Sequence, residues 1–247
     1  MTVTVVIPAR YASSRLPGKP LLEIDGIPMV AHVVAAALRA NVDAVVVATD
    51  HLEIAAAART AGAEAVMTDP DLPSGSDRVG AAMAGRSATI VVNVQGDEPE
   101  LDPAAIDAAV AALRADEGAD IATLSAPLTA ENLRDPNCVK VVTDVDGRAL
   151  YFSRAAIGAD RAALLGGTGD PVGGARRHVG LYAYRAAALR RFLELPEHPL
   201  EQLECLEQLR ALAHGMTIAV AQIDAVGQGV DTPEDLAALR QRGKGTR

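Results

Sequence analysis

Aromatic residues are scarce in this sequence: of its 247 residues, 2% are aromatic and none is tryptophan. Proteins that bind single-stranded nucleic acid stack the bases on aromatic side chains, and a phosphate backbone attracts surfaces with an excess of cations. The formal net charge of this chain is −9. The composition therefore predicts no nucleic-acid partner.

Cysteines and long apolar runs are also few. Cys138 and Cys205 have neither a C-x-x-C neighbour nor the His spacing of a zinc site, so we predict no disulfide framework and interpret both as small hydrophobic residues. No apolar run has the length of a membrane span, and the chain opens on a strand-like segment instead of a signal peptide. We therefore expect a cytoplasmic protein with no membrane partner.

The first half of the sequence alternates short apolar runs with Ala- and Leu-rich segments, which is typical of a parallel sheet with helices on both faces. The predicted strands are residues 2–8, 44–48, 90–94 and 120–125, and the predicted helices are 28–40, 52–61 and 103–114. The second half predicts a hairpin over 139–153, strands at 179–184 and 216–222, and a helix at 201–214. We predict one continuous α/β domain over residues 1–247, with a subdomain inserted at approximately 126–215.

A basic loop follows the first predicted strand. Arg10, Arg15 and Lys19 lie in a Gly-, Pro- and Ser-containing segment that has no acidic residue before Glu23. After a buried parallel strand, backbone N–H groups point towards ligands; arginine binds phosphate oxygens in a bidentate way and lysine acts as a point charge. The loop matches neither the Walker A nor the G-x-G-x-x-G pattern. It predicts a polyphosphate site, and the alternative is a solvated loop whose cations pair with surface carboxylates.

Two aspartates far apart in the sequence are candidates for binding Mg²⁺. Asp97 follows a predicted strand, at the sheet edge where Arg10 and Asp50 are also expected. Magnesium needs only one or two carboxylates in addition to phosphate oxygens and waters. Asp231 is a candidate for the second, but it precedes a Thr-Pro-Glu sequence that also fits a helix N-cap, and spacing alone favours the cap.

The segment VVIPARYASSRLPGKPLLEIDGIPMVAHV resembles the amino-terminal signature of the sugar-nucleotide cytidylyltransferases. Further matching stretches follow in the same order over the whole chain: VVVATDH, SGSDRV, VNVQGDEP, ALYFSRA, RRHVGLYAYR, LEQLECLEQLRAL and GVDTPEDL. The resemblance is strongest to the branch that uses 3-deoxy-manno-octulosonate (Kdo). It implies a mostly parallel nucleotide-binding sheet flanked by helices, of the nucleotidyltransferase type, with an inserted subdomain for sugar binding and dimerisation.

The resemblance also implies an activity, the transfer of CMP from CTP to an acidic sugar such as Kdo, with release of pyrophosphate. It implies Mg²⁺ as cofactor, held by Asp97 and Asp231, and a homodimer formed through the 139–153 hairpin. The implied nucleotide-binding residues are Ala9, Arg10, Arg15, Lys19, Gly75, Arg78 and Asp97, among which Arg10, Lys19 and Asp97 are assigned to catalysis. The implied sugar-binding residues are Gln95, Arg154, His178, Tyr182, Glu207 and Gln208.

Several of these residues also fit ordinary structural roles. His178 follows two arginines, as a surface residue would, and Tyr182 alternates with apolar residues in a strand. In the predicted helix at 201–214, Leu203, Leu206 and Leu209 form the apolar stripe, which predicts exposure for Glu207 and Gln208. Near Gly75, the alternative is a helix cap at Ser76 or Asp77.

The chain departs from the family pattern at Gly158, where proline is often found, and in the Gly- and Asp-rich loop at 159–174. The departure concerns the segment that follows a predicted sugar-binding residue. The rival functions are cytidylyl transfer to a related acidic sugar, either an 8-amino Kdo analogue or a sialic acid, a non-catalytic sugar-nucleotide-binding protein, and a glycosyltransferase.

Overall fold

The computed structural model describes residues 1–12, 16–227 and 229–244. Within it the chain divides into two compact units, one of Met1–Asp107 with Gly227–Arg247 and one of Ala108–Val226. The sequence predicted a single domain, and the predicted subdomain at 126–215 lies inside the second unit. None of the described helices is long and apolar enough to cross a membrane.

The strands and helices are numbered along the chain. The strands are β1 (Val3–Ala9), β2 (Glu23–Ile24), β3 (Ile27–Pro28), β4 (Ala44–Thr49), β5 (Glu64–Met67), β6 (Ile90–Asn93), β7 (Ile121–Ala126), β8 (Lys140–Thr143), β9 (Ala149–Ser153), β10 (Arg176–Arg185) and β11 (Ile218–Gln222). The helices are α1 (Met29–Ala37), α2 (Leu52–Thr60), α3 (Gly75–Met83), α4 (Pro103–Ala115), α5 (Ala130–Arg134), α6 (Arg161–Leu164), α7 (Ala186–Glu194), α8 (Pro199–Glu204), α9 (Gln208–Ala213) and α10 (Pro233–Lys244). A single 3₁₀ turn covers Lys19–Leu21.

The first unit contains a parallel sheet in the order β6-β1-β4-β5. Strands β1, β4 and β6 are buried along nearly their whole length, as expected for Val- and Ile-rich parallel strands covered on both faces. The predictions at 2–8, 44–48 and 90–94 are confirmed to within two residues. Strand β5 was not predicted, because its four residues are at most half-buried and carry no apolar run.

The second unit contains β7 between β11, which is parallel to it, and β10, which is antiparallel. The hairpin of β8 and β9 joins this sheet where β8 pairs with β10. Strand β10 has an irregularity between Val179 and Tyr182. The hydroxyl of Thr123 on β7 lies 2.8 Å from the carbonyl of Leu181 and 3.2 Å from that of Val179, so it satisfies backbone groups that the broken ladder leaves out.

The predicted continuous helix at 201–214 is wrong. Helix α8 ends at Glu204, and Cys205 has a φ of 51°, in the left-handed region that stops a right-handed helix. Because α9 starts afresh, Leu203 is 80% exposed, whereas Leu206 and Leu209 are buried. The interpretation of Cys205 as a small buried hydrophobe is also wrong, since this residue is exposed.

Gly158 explains the departure from the family pattern in this part of the chain. Its φ is +67°, and a Cβ atom at this position would lie 2.7 Å from the Cγ1 of Val142. The proline ring fixes φ near −65°, so proline cannot adopt this backbone conformation. The following loop is not irregular throughout, because Asp160 caps the short helix α6.

Candidate active site

Lys19 lies between the two aspartates that the sequence proposed as metal ligands. Its Nζ is 2.6 Å from Oδ2 of Asp97 and 3.1 Å from Oδ1 of Asp231. The alternative of a loop cation paired with carboxylates is therefore confirmed for Lys19, but the partners are the two predicted ligands. The Lys19 side chain is only 12% exposed, compared with 36% for Asp97 and 55% for Asp231. Three charged groups from distant parts of the sequence thus meet at one point.

The loop that presents Lys19 is closed by backbone hydrogen bonds. Gly18 has a φ of 65°, in the left-handed region that glycine adopts without strain, and its N–H donates to the carbonyl of Tyr11. The N–H of Lys19 donates to the carbonyl of Leu16. These bonds return the chain to the end of β1 and fix the direction from which Lys19 approaches the aspartates.

Asp97 is held in place by the glycine before it. A Cβ atom on Gly96 would lie 3.0 Å from the carbonyl oxygen of Pro8, so only glycine allows this approach without a shift of the β1 backbone. The carbonyl of Asp97 accepts a 2.9 Å hydrogen bond from the N–H of Val230. The two aspartate-bearing segments are therefore joined through their backbones as well as through Lys19.

Asp231 does not cap helix α10, so the cap alternative for this residue is wrong. The capping residue is Thr232, whose Oγ1 accepts from the N–H of Asp235 at 3.2 Å, while the carboxylate of Asp235 accepts from the N–H and Oγ1 of Thr232. This reciprocal arrangement is a capping box with Asp at its third position. Because the cap is supplied elsewhere, the Asp231 carboxylate is directed to Lys19.

Apolar packing seats helix α10 close to the basic loop. Leu236 and Leu239 of this helix are buried in one cluster with Ile24, Met29 and Val230. Burial of each such side chain contributes about 2 kcal/mol. The position of Asp231 is therefore determined by the first unit's core.

The other predicted nucleotide-binding residues of the basic loop differ in their surroundings. Arg10 is exposed and Ala9 is buried, while Arg15 lies outside the described residues. The neighbouring Tyr11 donates its N–H to Asp50 at 2.9 Å, and its ring stacks on His51 with a centroid distance of 4.1 Å. Asp50 thus acts as an anchor for the loop, in keeping with a strand-end role.

Arg78 is buried, with 2% exposure, and its described contacts are with the protein. Its guanidinium donates to Thr68 Oγ1 at 2.5 Å and to the carbonyl of Pro70 at 3.5 Å, and lies 3.9 Å from Asp50. It therefore ties the segment after β5 to the end of β4.

Gly75 begins helix α3, and its N-cap is Ser74, whose Oγ accepts from the N–H of Asp77. The alternative caps at Ser76 and Asp77 are therefore wrong. A Cβ atom on Gly75 would be at ordinary contact distance, 3.7 Å, from Pro8. The roles of Gly75 and Arg78 towards a nucleotide stay predictions.

In the second unit, Arg154 binds backbone carbonyls from two different segments. Its Nε donates to the carbonyl of Glu204 at 2.7 Å, its Nη1 to that of Pro136 at 3.0 Å, and its Nη2 to that of Cys205 at 3.4 Å. Its own N–H donates to the Glu204 carboxylate. A guanidinium has five N–H donors, so these contacts orient the group without using all of its donors.

His178 is buried, with 9% exposure, so its interpretation as a surface residue is wrong. Its Nε2 lies 3.0 Å from Thr123 Oγ1, whose single proton is directed at the nearer carbonyl, that of Leu181. His178 is therefore the donor to Thr123 and carries its proton on Nε2. Burial lowers the pKa of His178 to about 3, so the ring is neutral.

Tyr182 lies beside His178, with ring centroids 5.5 Å apart. Burial raises the pKa of its phenol well above the ordinary value, and the charges of Tyr184 and Glu207 act in the same direction. Glu207 is half-buried at the start of α9. Tyr182 consequently keeps its proton and is available as a neutral donor.

Gln208 is buried, with 5% exposure, so the expectation of a solvent-exposed side chain is wrong. Its Nε2 is buried without a hydrogen-bond partner among the described residues. A buried amide N–H that is unpaired in this way is costly unless a ligand or water accepts from it. Gln95, just after β6 in the first unit, is half-buried.

The comparisons with known proteins agree with one another. The sequence model of the family described as "Cytidylyltransferase" matches residues 4–218. A protein of Methylococcus capsulatus named 3-deoxy-manno-octulosonate cytidylyltransferase is 50% identical over 246 residues, which cover 96% of this chain and 95% of the relative. A protein of Azorhizobium caulinodans with the same name is 52% identical, over 96% of this chain and 94% of the relative.

Among solved structures, CMP:2-keto-3-deoxy-manno-octonic acid synthetase complexed with CTP aligns with a TM-score of 0.93 and 40% identity over the whole of both chains. This similarity confirms the predicted nucleotidyltransferase-type α/β fold. The matched length, the identity and the fold lead to the same conclusion: this chain belongs to the cytidylyltransferase family.

Proposed function

We propose that this protein transfers CMP from CTP to Kdo and releases pyrophosphate. The relatives named above support the substrates. The observation that carries the proposal is the meeting of Lys19, Asp97 and Asp231 at one point. Such a cluster offers both a cation for phosphate oxygens and carboxylates for a divalent ion, which are the groups that phosphoryl transfer requires.

In this reaction the anomeric hydroxyl of Kdo attacks the α-phosphorus of CTP in line with the departing pyrophosphate. Catalysis depends on positioning and charge neutralisation, and no covalent enzyme intermediate is needed. We assign Lys19 and Arg10 to the triphosphate, with Lys19 offsetting the charge that develops on the pyrophosphate. Ala9, Arg15, Gly75 and Arg78 complete the proposed nucleotide-binding set.

The donor set at this point fits Mg²⁺. Asp97 and Asp231 would hold the ion, and hard carboxylate oxygens are the ligands that it prefers. No group of three or more His, Cys, Asp or Glu side chains in the described part of the chain is arranged to hold a metal. Two protein carboxylates suit magnesium, which keeps waters and takes further oxygens from the phosphates. When bound, the ion supplies polarisation of the phosphate and neutralisation of its charge.

We assign the sugar to Gln95, Arg154, His178, Tyr182, Glu207 and Gln208. Kdo carries one carboxylate and several hydroxyls, so it needs a cation and many neutral donors and acceptors. The remaining guanidinium donors of Arg154, the neutral ring of His178 and the phenol of Tyr182 have that chemistry. The unpaired buried amide of Gln208 gives further support, because a sugar hydroxyl can accept from it.

We also propose a cytoplasmic homodimer that acts in lipopolysaccharide synthesis. The hairpin of β8 and β9 carries exposed apolar side chains, with Val145 100% and Leu150 62% exposed. Exposed apolar residues of this kind favour an interface. Analytical ultracentrifugation of the wild type and of Leu150→Glu tests the assembly: a dimer that the substitution dissociates is expected, and a wild-type monomer would contradict it.

The reaction is tested by measuring pyrophosphate release from CTP and Mg²⁺ with Kdo, 8-amino Kdo or sialic acid. We expect the largest kcat/KM with Kdo and loss of turnover with EDTA. A larger value with another acidic sugar would reassign the acceptor. Nucleotide binding without turnover would indicate a non-catalytic binding protein, and release of CMP from a CMP-sugar would indicate a glycosyltransferase.

A further inference from the structure

Lys140 is completely buried at the start of β8, with an exposure of 0%. Its Nζ donates to three backbone carbonyls, those of Asp135 at 3.0 Å, Cys138 at 2.7 Å and Arg154. An ammonium has three N–H donors, so every donor is used. Burial lowers the pKa of Lys140, and nearby Asp135 and Glu204 oppose that shift.

A buried ammonium is an expensive way to fill space, since an apolar side chain of similar length would need no partners. What the ammonium provides is a fixed meeting point for three oxygen atoms. Two belong to the loop before β8, and the third belongs to Arg154, just after β9. Lys140 therefore fixes where the backbone of Arg154 lies relative to that loop.

The side chain of Arg154 binds the same loop from the other direction. Its Nη1 donates to the carbonyl of Pro136, which lies between two carbonyls that Lys140 holds. Its Nε and Nη2 donate to the carbonyls of Glu204 and Cys205, immediately before α9. The two cations thus join three segments of the second unit, and the last of them leads into the predicted sugar residues at the start of α9.

We propose that Lys140 is a positioning residue for sugar recognition, which fixes the Arg154 backbone and the loop carbonyls so that the guanidinium faces the sugar acid in one orientation. The inference rests on the proposed function, because it takes Arg154 as a sugar-binding residue. Lys140 itself is fully enclosed and makes no contact with substrate. Its effect reaches the reaction through Arg154 alone.

The test compares Lys140→Met, which keeps an apolar stem but removes the ammonium, with wild type in the pyrophosphate-release assay. We expect the KM for Kdo to rise at least tenfold while the KM for CTP stays within twofold. A purely structural lysine would change both constants together or neither, and either result would overturn the proposal. Lys140→Gln retains N–H donors and is expected to fold and to show a smaller rise in the KM for Kdo.

Arg185→Met is the matched control. The Arg185 guanidinium also donates to three backbone carbonyls of the second unit, those of Leu113, Asp116 and Ala119, and none of these residues is assigned to the sugar. We expect this variant to lower the melting temperature but to keep the KM for Kdo within twofold of wild type. An equal rise in both variants would overturn the positioning role.

A double variant isolates the route through Arg154. If Lys140 acts by orienting that guanidinium, Lys140→Met combined with Arg154→Ala should have a KM for Kdo within twofold of Arg154→Ala alone. Multiplied effects would overturn the proposal. The wild-type assay separates this from the proposed function: without Kdo-dependent turnover in wild type the function fails, whereas normal wild-type turnover with unchanged Lys140 variants refutes only the positioning role.

Discussion

Replacing Lys19 by methionine separates the catalytic role of its charge from its role in stability. The ion pairs of Lys19 have partners with 36% and 55% side-chain exposure. Water screens pairs with such exposure, and each contributes at most about 1 kcal/mol to stability. Loss of one preorganised charge in a transition state costs about 3 kcal/mol, which is roughly a hundredfold in rate. We therefore expect kcat to fall about a hundredfold while the free energy of unfolding falls by about 1 kcal/mol.

The two quantities are measured by pyrophosphate release and by urea unfolding of the same preparations. Arg86→Met is the control, because Arg86 forms a surface ion pair of 2.8 Å with Glu64 in the same unit, with exposures of 36% and 60%. We expect it to lose similarly little stability and no activity. A kcat of Lys19→Met within threefold of wild type would remove the charge from the mechanism, and a stability loss above about 3 kcal/mol would make the rate effect a folding effect.

Three further predictions concern stability. His178 has a pKa of about 3 in the folded protein and 6.5 ordinarily, so the unfolded chain binds the extra proton and stability falls as pH falls below about 6.5; urea unfolding should show a loss of about 2 kcal/mol from pH 7 to pH 5, absent in His178→Gln. Thr232→Ala should cost about 1 kcal/mol in thermal unfolding, whereas Asp231→Asn should cost less than half of that, and the reverse order would make Asp231 the cap. Cys205→Gly should raise the melting temperature by relieving about 1 kcal/mol of left-handed strain, and a lowered value would show that the thiol stabilises the turn.

The parallel core of the first unit could be predicted from the sequence because its strands are apolar on both faces. Residues 44–48 are a run of Ala and Val that becomes β4, and sequence alternation alone places its end near Asp50. Strand β5 could not be found in this way. It is an edge strand with half-buried residues, so it lacks the apolar run that marks its neighbours.

The break in the second unit between α8 and α9 depends on contacts that local sequence does not contain. The segment at 201–214 has a continuous helical pattern. The carbonyls of Glu204 and Cys205 are instead bound by Arg154, about fifty residues earlier, and the left-handed residue follows from that tertiary contact. Lys140 was also missed, although a lysine within the apolar run CVKVV is the one signal that could have identified it.

In the candidate site, the meeting of Asp97 with Asp231 could be anticipated only with the help of the family resemblance. Spacing alone favoured a cap at Asp231, because the capping box starts one residue later, at Thr232, and the two positions give the same sequence pattern. The burial of Gln208 was unpredictable for a related reason: it depends on the break at Cys205, which rotates α9 relative to the expected continuous helix.

Crystals grown with CTP and Mn²⁺ test the central claim most directly, since manganese replaces magnesium and is located by its anomalous scattering. We expect an anomalous peak within about 2.5 Å of carboxylate oxygens of both Asp97 and Asp231, with Lys19 moved onto the triphosphate. A peak that contacts the triphosphate but neither aspartate, with Lys19 still bridging the two carboxylates, would contradict the account.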